Sequence, residues 1–288
     1  MMFILLSVLL NSLLFVILKL FPKYNIDTLT ALVVNYGTAS FLGMMVSQKS
    51  YSLTTASQSE WFTSSMLLGC LFISVFFATA ITSQRNGLSV ASVASKMSVI
   101  IPIGFGIFLF NEDAGFLKIL GIILALIAVY YTSKKEEGTV ALKQQLLFPA
   151  LVFVGAGIID SSLKIISHFY LSTEEIGVFS TNTFLMAFLI GLITLSIRYS
   201  KNKENVLLGK NILGGVVLGI PNYFALFYMI KMLDHNTWDS STIFTIHNVA
   251  IVTLTTMVGL IVFREKITLK NAFGILLALF SIFLVTWK

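Results

Sequence analysis

Apolar residues in this chain form long runs that end at charged and turn residues. Ten of these runs are candidate membrane-crossing helices: 2–21, 28–47, 61–84, 88–110 and 114–133, then 146–170, 175–199, 211–233, 237–263 and 269–287. A helix needs roughly 20 apolar residues to cross the hydrocarbon, and the runs are close to that length. The most polar stretch, 134–145 (KKEEGTVALKQQ), separates the first five from the last five. The first run lacks a basic leader and a small-residue cleavage site and closes at Lys19, so it is expected to be a retained helix rather than a signal peptide.

The two sets of five align with one another. Phe110-Asn-Glu112 followed by Gly121 matches Phe263-Arg-Glu265 followed by Gly274 at the same spacing. Asn11-Ser12 before Lys19-Leu-Phe21 matches Asp160-Ser161 before His168-Phe-Tyr170, and Asn35 matches Asn182. Five crossings per copy is an odd number, so the second copy must enter the membrane upside down. The pattern therefore predicts an all-α membrane protein of ten transmembrane helices in two inverted five-helix repeats: 1–137, a linker at 138–145, and 146–288.

Pro102, then Phe110-Asn-Glu112 and Gly121, with the copy Phe263-Arg-Glu265 and Gly274, resembles the drug/metabolite transporter superfamily, in particular its EamA-like ten-helix members. The resemblance covers nearly the whole chain. Thr255 stands where the second copy would carry the proline, so a hinge role for proline is not duplicated. The resemblance implies a central cavity lined mainly by helices 1, 3, 4, 6, 8 and 9, with helices 5 and 10 peripheral. It implies no particular substrate, since members carry amino acids, nucleotide sugars, phosphorylated sugars and drugs.

Composition sharpens the class. Of 288 residues 57% are hydrophobic and 11% charged, against about 25% charged in an ordinary globular chain. Ten helices with short loops leave no room for a sizeable catalytic domain outside the membrane. The formal charge of +6 suits loops facing an anionic membrane surface, and no nucleic-acid motif accompanies it. Lys and Arg gather in the odd-numbered loops (Lys19, Lys23, Arg85, Lys134, Lys135, Lys143, Arg198, Lys201, Lys203, Lys210, Arg264, Lys266, Lys270). The even-numbered loops and the C-terminus hold only Lys49, Lys118, Lys231 and Lys288. By the positive-inside rule both termini then lie outside the cytoplasm, whereas the family is drawn with both inside. The single cysteine, Cys70, reads as a small packing residue, and Trp61, Trp238 and Trp287 fall near run ends as an interfacial belt would.

Charge within the apolar runs carries the chemistry. A charge at the bilayer centre costs about 2.5–3.5 kcal/mol on insertion scales, so it faces a bundle interior, a cavity or a partner. Lys96, among Ala94, Ser95 and Ser98, either anchors an anionic group, pairs with Asp160, or snorkels to the interface. Asp160 and Lys164, four apart on one helix face, either neutralise each other or serve a site, and Asp160 holds the position that Asn11 holds in the first copy. His247, beside Asn248 and close to the repeat position of Lys96, is either a proton carrier or an interhelical hydrogen-bonder. Gly219-Ile-Pro221 is expected to break the eighth helix and present Asn222 and Tyr223 to a cavity. Asn35 and Asn182 are expected to join helices, and Glu112 and Glu265 to cap or anchor loops.

These readings predict a multi-pass protein of the inner or plasma membrane that moves a small polar or anionic metabolite by alternating access. Its partners are the substrate, the lipid bilayer and, as a coupling ion, protons. No cofactor or metal is expected: the three histidines are scattered, and no metal-spaced cluster, phosphate cradle or nucleophile motif speaks for an enzyme. The rivals are a proton-coupled exporter of cationic or amphipathic drugs, with Asp160 as the shared carboxylate, and a non-transporting membrane receptor or assembly protein.

Overall fold

A computed structural model describes residues 2–46, 53–104, 115–133, 142–172, 174–202, 208–234, 240–266 and 268–286. Among them the regular structure is helical, with no strand. We number the helices α1 (Met2–Leu20), α2 (Thr28–Val46), α3 (Phe62–Arg85), α4 (Leu88–Met97), α5 (Phe116–Ser133), α6 (Leu142–Phe169), α7 (Ile176–Asn202), α8 (Gly209–Asp234), α9 (Ser240–Ile261) and α10 (Leu269–Thr286). A short helix, Leu53–Ser57, lies between α2 and α3. Six segments are long and apolar enough to cross a membrane: Met2–Leu20, Thr28–Val46, Phe62–Arg85, Leu146–Leu163, Ile176–Ser200 and Gly209–Met229. The protein is thus a helical, membrane-embedded one. The fourth, fifth, ninth and tenth runs hold the shorter apolar segments Leu88–Gly104, Ile119–Thr132, His247–Ile261 and Leu269–Leu284. Helix α6 already begins at Leu142, so the end of the expected linker is helical.

The described residues form two compact units, and each draws on both halves of the chain. The first takes Met1–Lys19, Ala78–Asp160 and Ala225–Lys288; the second takes Leu20–Phe77 and Ser161–Phe224.

In the first unit α4, α5, α9 and α10 pack around Val93, Met97, Ala125, Ala128, Val252 and Ala278, all fully buried. Helices α5 and α10 run antiparallel. Asn271 at the start of α10 donates to the carbonyls of Tyr131 (3.0 Å) and Thr132 (2.9 Å) at the end of α5, while Ser281 donates to Gly121 O (2.7 Å). Between these ends lie Ala125 and Ala278, each four residues after its glycine, Gly121 or Gly274. Small residues at a crossing let two backbones approach, the usual adhesive between helices in lipid. Helices α4 and α9 meet through Thr255 Oγ1, which donates to Ser92 Oγ at 2.8 Å. Helix α1 lays Ile4, Val8 and Phe15 against Leu88, Ala91 and Ile251.

In the second unit α2 and α7 also run antiparallel: Ser40 donates to Thr181 O at 3.4 Å, Val33 packs at Gly191, and Asp27 meets Arg198. Asp27 caps α2, accepting from Thr30 N (2.9 Å) and Thr30 Oγ1 (2.6 Å). Arg198 grips both its oxygens, at 3.0 and 2.9 Å. Burial pulls the Asp27 carboxyl upward, but hydrogen bonds from Thr30 and the Arg198 guanidinium outweigh it and hold the group below its ordinary range.

Three expectations are corrected here. Helix α8 is continuous through Pro221, because Gly215 and Gly219 let it lie directly on the α2 backbone, where a side chain at Gly219 would meet Asn35 O at 2.8 Å. Trp61 is buried at 2% exposure with its ring edge-on to Phe179, so its surface is covered by protein. Cys70 is exposed rather than packed. Trp238, Trp287 and Glu112 lie outside the described residues or side chains.

Candidate functional site

The fourth apolar segment is broken beside its charge. Pro102 has no N–H to offer the Ser98 carbonyl, and its ring crowds that same group. The chain answers with a turn at 98–99 before helix resumes at 100–104. The freed Ser98 carbonyl accepts Ile101 N at 2.9 Å, and Ser98 Oγ donates back to Ser95 O at 2.5 Å, which itself favours a bend. Broken helix is tolerated at membrane depth where it is covered by protein or lines a cavity.

Around this break the first unit collects polar side chains from four helices. Lys96, half-buried, sits in the last turn of α4. Asp160 of α6 and His247 of α9 belong to the same unit. Ser98 Oγ lies 3.5 Å from Asp160 Oδ2. Asp160 itself is exposed. His247, 1% exposed, shares a hydrogen bond at 3.0 Å between Nε2 and Ser7 Oγ. Asn11 donates to Ser7 O at 2.9 Å. The other ring nitrogen, Nδ1, is buried without a well-formed hydrogen bond, with the Asn248 side chain beside it.

Four of the residues singled out in the sequence, Asn11, Lys96, Asp160 and His247, therefore fall in one unit. Asn222 and Tyr223 belong to the other, where Asn222 Nδ2 donates to Asn35 Oδ1 at 3.2 Å and Tyr223 is buried edge-on to Phe224. Asn182 Nδ2 donates to Ser65 Oγ at 2.6 Å, so both repeat-mate asparagines join helices. Lys164 is helical, and its side chain lies outside the described residues. Ser7 and Ser98 enter the cluster unannounced: Ser7 precedes Asn11 by one helical turn, a spacing that could have flagged it. Among the described residues no group of His, Cys, Asp and Glu could hold a metal ion.

No family model matches the chain. It is similar to an uncharacterized protein of Haemophilus influenzae, 27% identical over 274 residues, which covers 93% of this chain and 91% of that one.

Proposed function

We propose that this protein is a transporter that carries a small polar or anionic metabolite across the membrane by alternating access, with the cluster around Lys96 as its central site. The observation that carries the reading is a lysine in the last turn of an apolar helix, just before a break at 98–99 whose Ser98 Oγ lies 3.5 Å from the Asp160 carboxylate of another helix. Charge is retained at membrane depth where it does work on a substrate or an ion. All ten apolar segments cross the membrane in this reading, and the two halves are inverted copies. Support for inversion comes from the helix pairs that hold equal places in the halves: α2 with α7 and α5 with α10 run antiparallel. The resemblance to EamA-like transporters agrees with this arrangement.

Lys96 neutralises the anionic group of the substrate, and Asn11 and His247 offer hydrogen bonds. A proton-coupled exporter of cationic drugs is the rival that the openness of Asp160 favours. Thermal unfolding of the detergent-purified protein against organic acids, amino acids, sugar phosphates, nucleotide sugars and cationic drugs separates the two. A ligand at 100 times its Kd adds about 2.7 kcal/mol of stability. Carboxylate- or phosphate-bearing ligands are expected to stabilise the parent and not Lys96→Ala. Stabilisation by cations alone, undiminished in Lys96→Ala, supports the exporter, and an unresponsive protein contradicts transport.

A further inference from the structure

We infer that the end of the first unit where α9 turns into α10 binds the headgroups of anionic phospholipid. The turn and the start of α10 carry three exposed cations, Arg264, Lys266 and Lys270. Arg85, at the end of α3, is exposed two residues before Gly87, and Gly87 borders the same turn at Glu265. Glu265 is the sole acidic residue between 240 and 288, and it is turned inward. Its carboxylate is engaged by Lys19 Nζ at 3.0 Å and by the Leu88 N–H at 2.9 Å. Gly87 and Gly259 leave it a seat, since a Cβ at either would lie 2.9 or 2.7 Å from its Oε2. Among the described residues Arg264, Lys266 and Lys270 have no ion pair. Three like charges therefore face outward with no acid beside them to offset the repulsion.

The backbone explains the sorting. Arg264 is left-handed, φ 51°, and reverses the chain so that Glu265 N donates to Gly259 O at 2.9 Å. That reversal takes Glu265 inside and leaves its two basic neighbours outside. The same ten residues expose Ile261 at 76%, Val262 at 65% and Leu269 at 90%. Acyl chains cover bare aliphatic side chains of this kind, and basic residues among them then stand at headgroup level. A guanidinium and two ammonium groups there meet phosphodiesters with charge-assisted hydrogen bonds. A net-negative headgroup relieves the repulsion among them, whereas a zwitterionic one brings its own cation and relieves less. The inference holds whatever solute the protein carries.

The test titrates the detergent-purified full-length protein with phosphatidylglycerol or phosphatidylcholine of the same acyl chains. Unfolding temperature and native mass spectrometry read the binding. Phosphatidylglycerol is expected to bind more tightly and to raise the unfolding temperature further. Lys266→Gln with Lys270→Gln is expected to weaken its binding about 30-fold, the effect of two basic residues near an anionic surface. Lys49→Gln with Lys118→Gln, which removes as much charge from the even-numbered loops, is expected to leave it unchanged. Equal responses to the two lipids, or no more loss in the first double variant than in the second, overturn the inference. Glycerol phosphate that reproduces the shift without acyl chains overturns it in favour of a soluble anion. On the parent protein alone the preference is expected to vanish in about 1 M salt, which screens exposed charges beyond about 3 Å. A preference that survives such salt overturns the inference even where the variants fail to fold.

Discussion

The Glu265 carboxylate accepts the backbone N–H of Leu88 at 2.9 Å and meets Lys19 Nζ at 3.0 Å. Helix α4 begins after Gly87, which has no side chain to cap it, and the loop after α9 supplies the missing acceptor from far away in sequence. A carboxylate at a helix N-terminus also meets the positive end of the helix dipole. Glu265→Ala is expected to lower stability by about 1–2 kcal/mol, the usual cost of losing a cap. Glu265→Gln, which keeps an acceptor, is expected to lose less. Unfolding temperatures in detergent check the order; an alanine variant as stable as the parent would show that the cap contributes nothing.

Gly87 makes that cap accessible. Its φ of +120° belongs to a region open to glycine almost alone, and a Cβ there would lie 2.9 Å from Glu265 Oε2. Gly87→Ala is expected to cost about 1–3 kcal/mol through backbone strain, before any clash is counted. Gly104→Ala, where a Cβ meets nothing within 4 Å, is the matched control and is expected to be nearly neutral.

Ala125 and Ala278 each stand four residues after a glycine, Gly121 or Gly274, and both are fully buried in one core. Enlarging either to leucine forces α5 and α10 apart, at about 1–3 kcal/mol for overpacking. The two substitutions are expected to cost similar amounts, and Leu126→Ala, on the 52% exposed side of α5, much less. A large difference between the two leucine variants would contradict a symmetric crossing.

Asp27 gives the stability curve its acid edge. Its carboxyl is held below the ordinary value of 3.8, since Thr30 and Arg198 favour the charged form more than burial opposes it. A depressed folded value stabilises the protein above the unfolded value, and that contribution is lost as pH falls through the folded one. Asp27→Asn is therefore expected to be less stable than the parent at neutral pH, with the difference shrinking as pH falls below 3.8. Unfolding temperature measured across that range checks it, and a gap that widens in acid would reverse the sign.

Much of the helical pattern was legible because long apolar runs and charged breaks are local properties. The contact of α5 with α10 was not legible: Gly121 and Gly274 mark a shared spacing but name no partner until Asn271 and Ser281 reach the carbonyls of α5. The state of each proline was not legible. Pro102 and Pro221 look alike in sequence, but Pro102 follows Ser95 and Ser98, whose hydroxyl bond stabilises a bend, while Pro221 follows glycines that pin α8 straight against α2. The cluster was half legible: Lys96 and Asp160 betray themselves as charges in apolar runs, whereas Ser7 looks like any serine until His247 is brought to it at 3.0 Å.

Alternating access requires the charged site to face each side of the membrane in turn. The chain has a single cysteine, Cys70, so a Cys70→Ser background carrying Asn11→Cys or Asp160→Cys reports access at one place. In sealed vesicles holding the protein in one orientation, a membrane-impermeant thiol reagent is added outside or trapped inside. Labelling of the same position from both sides is the predicted result. Labelling from one side only, or from neither, would contradict a transporter built around Lys96 and Asp160.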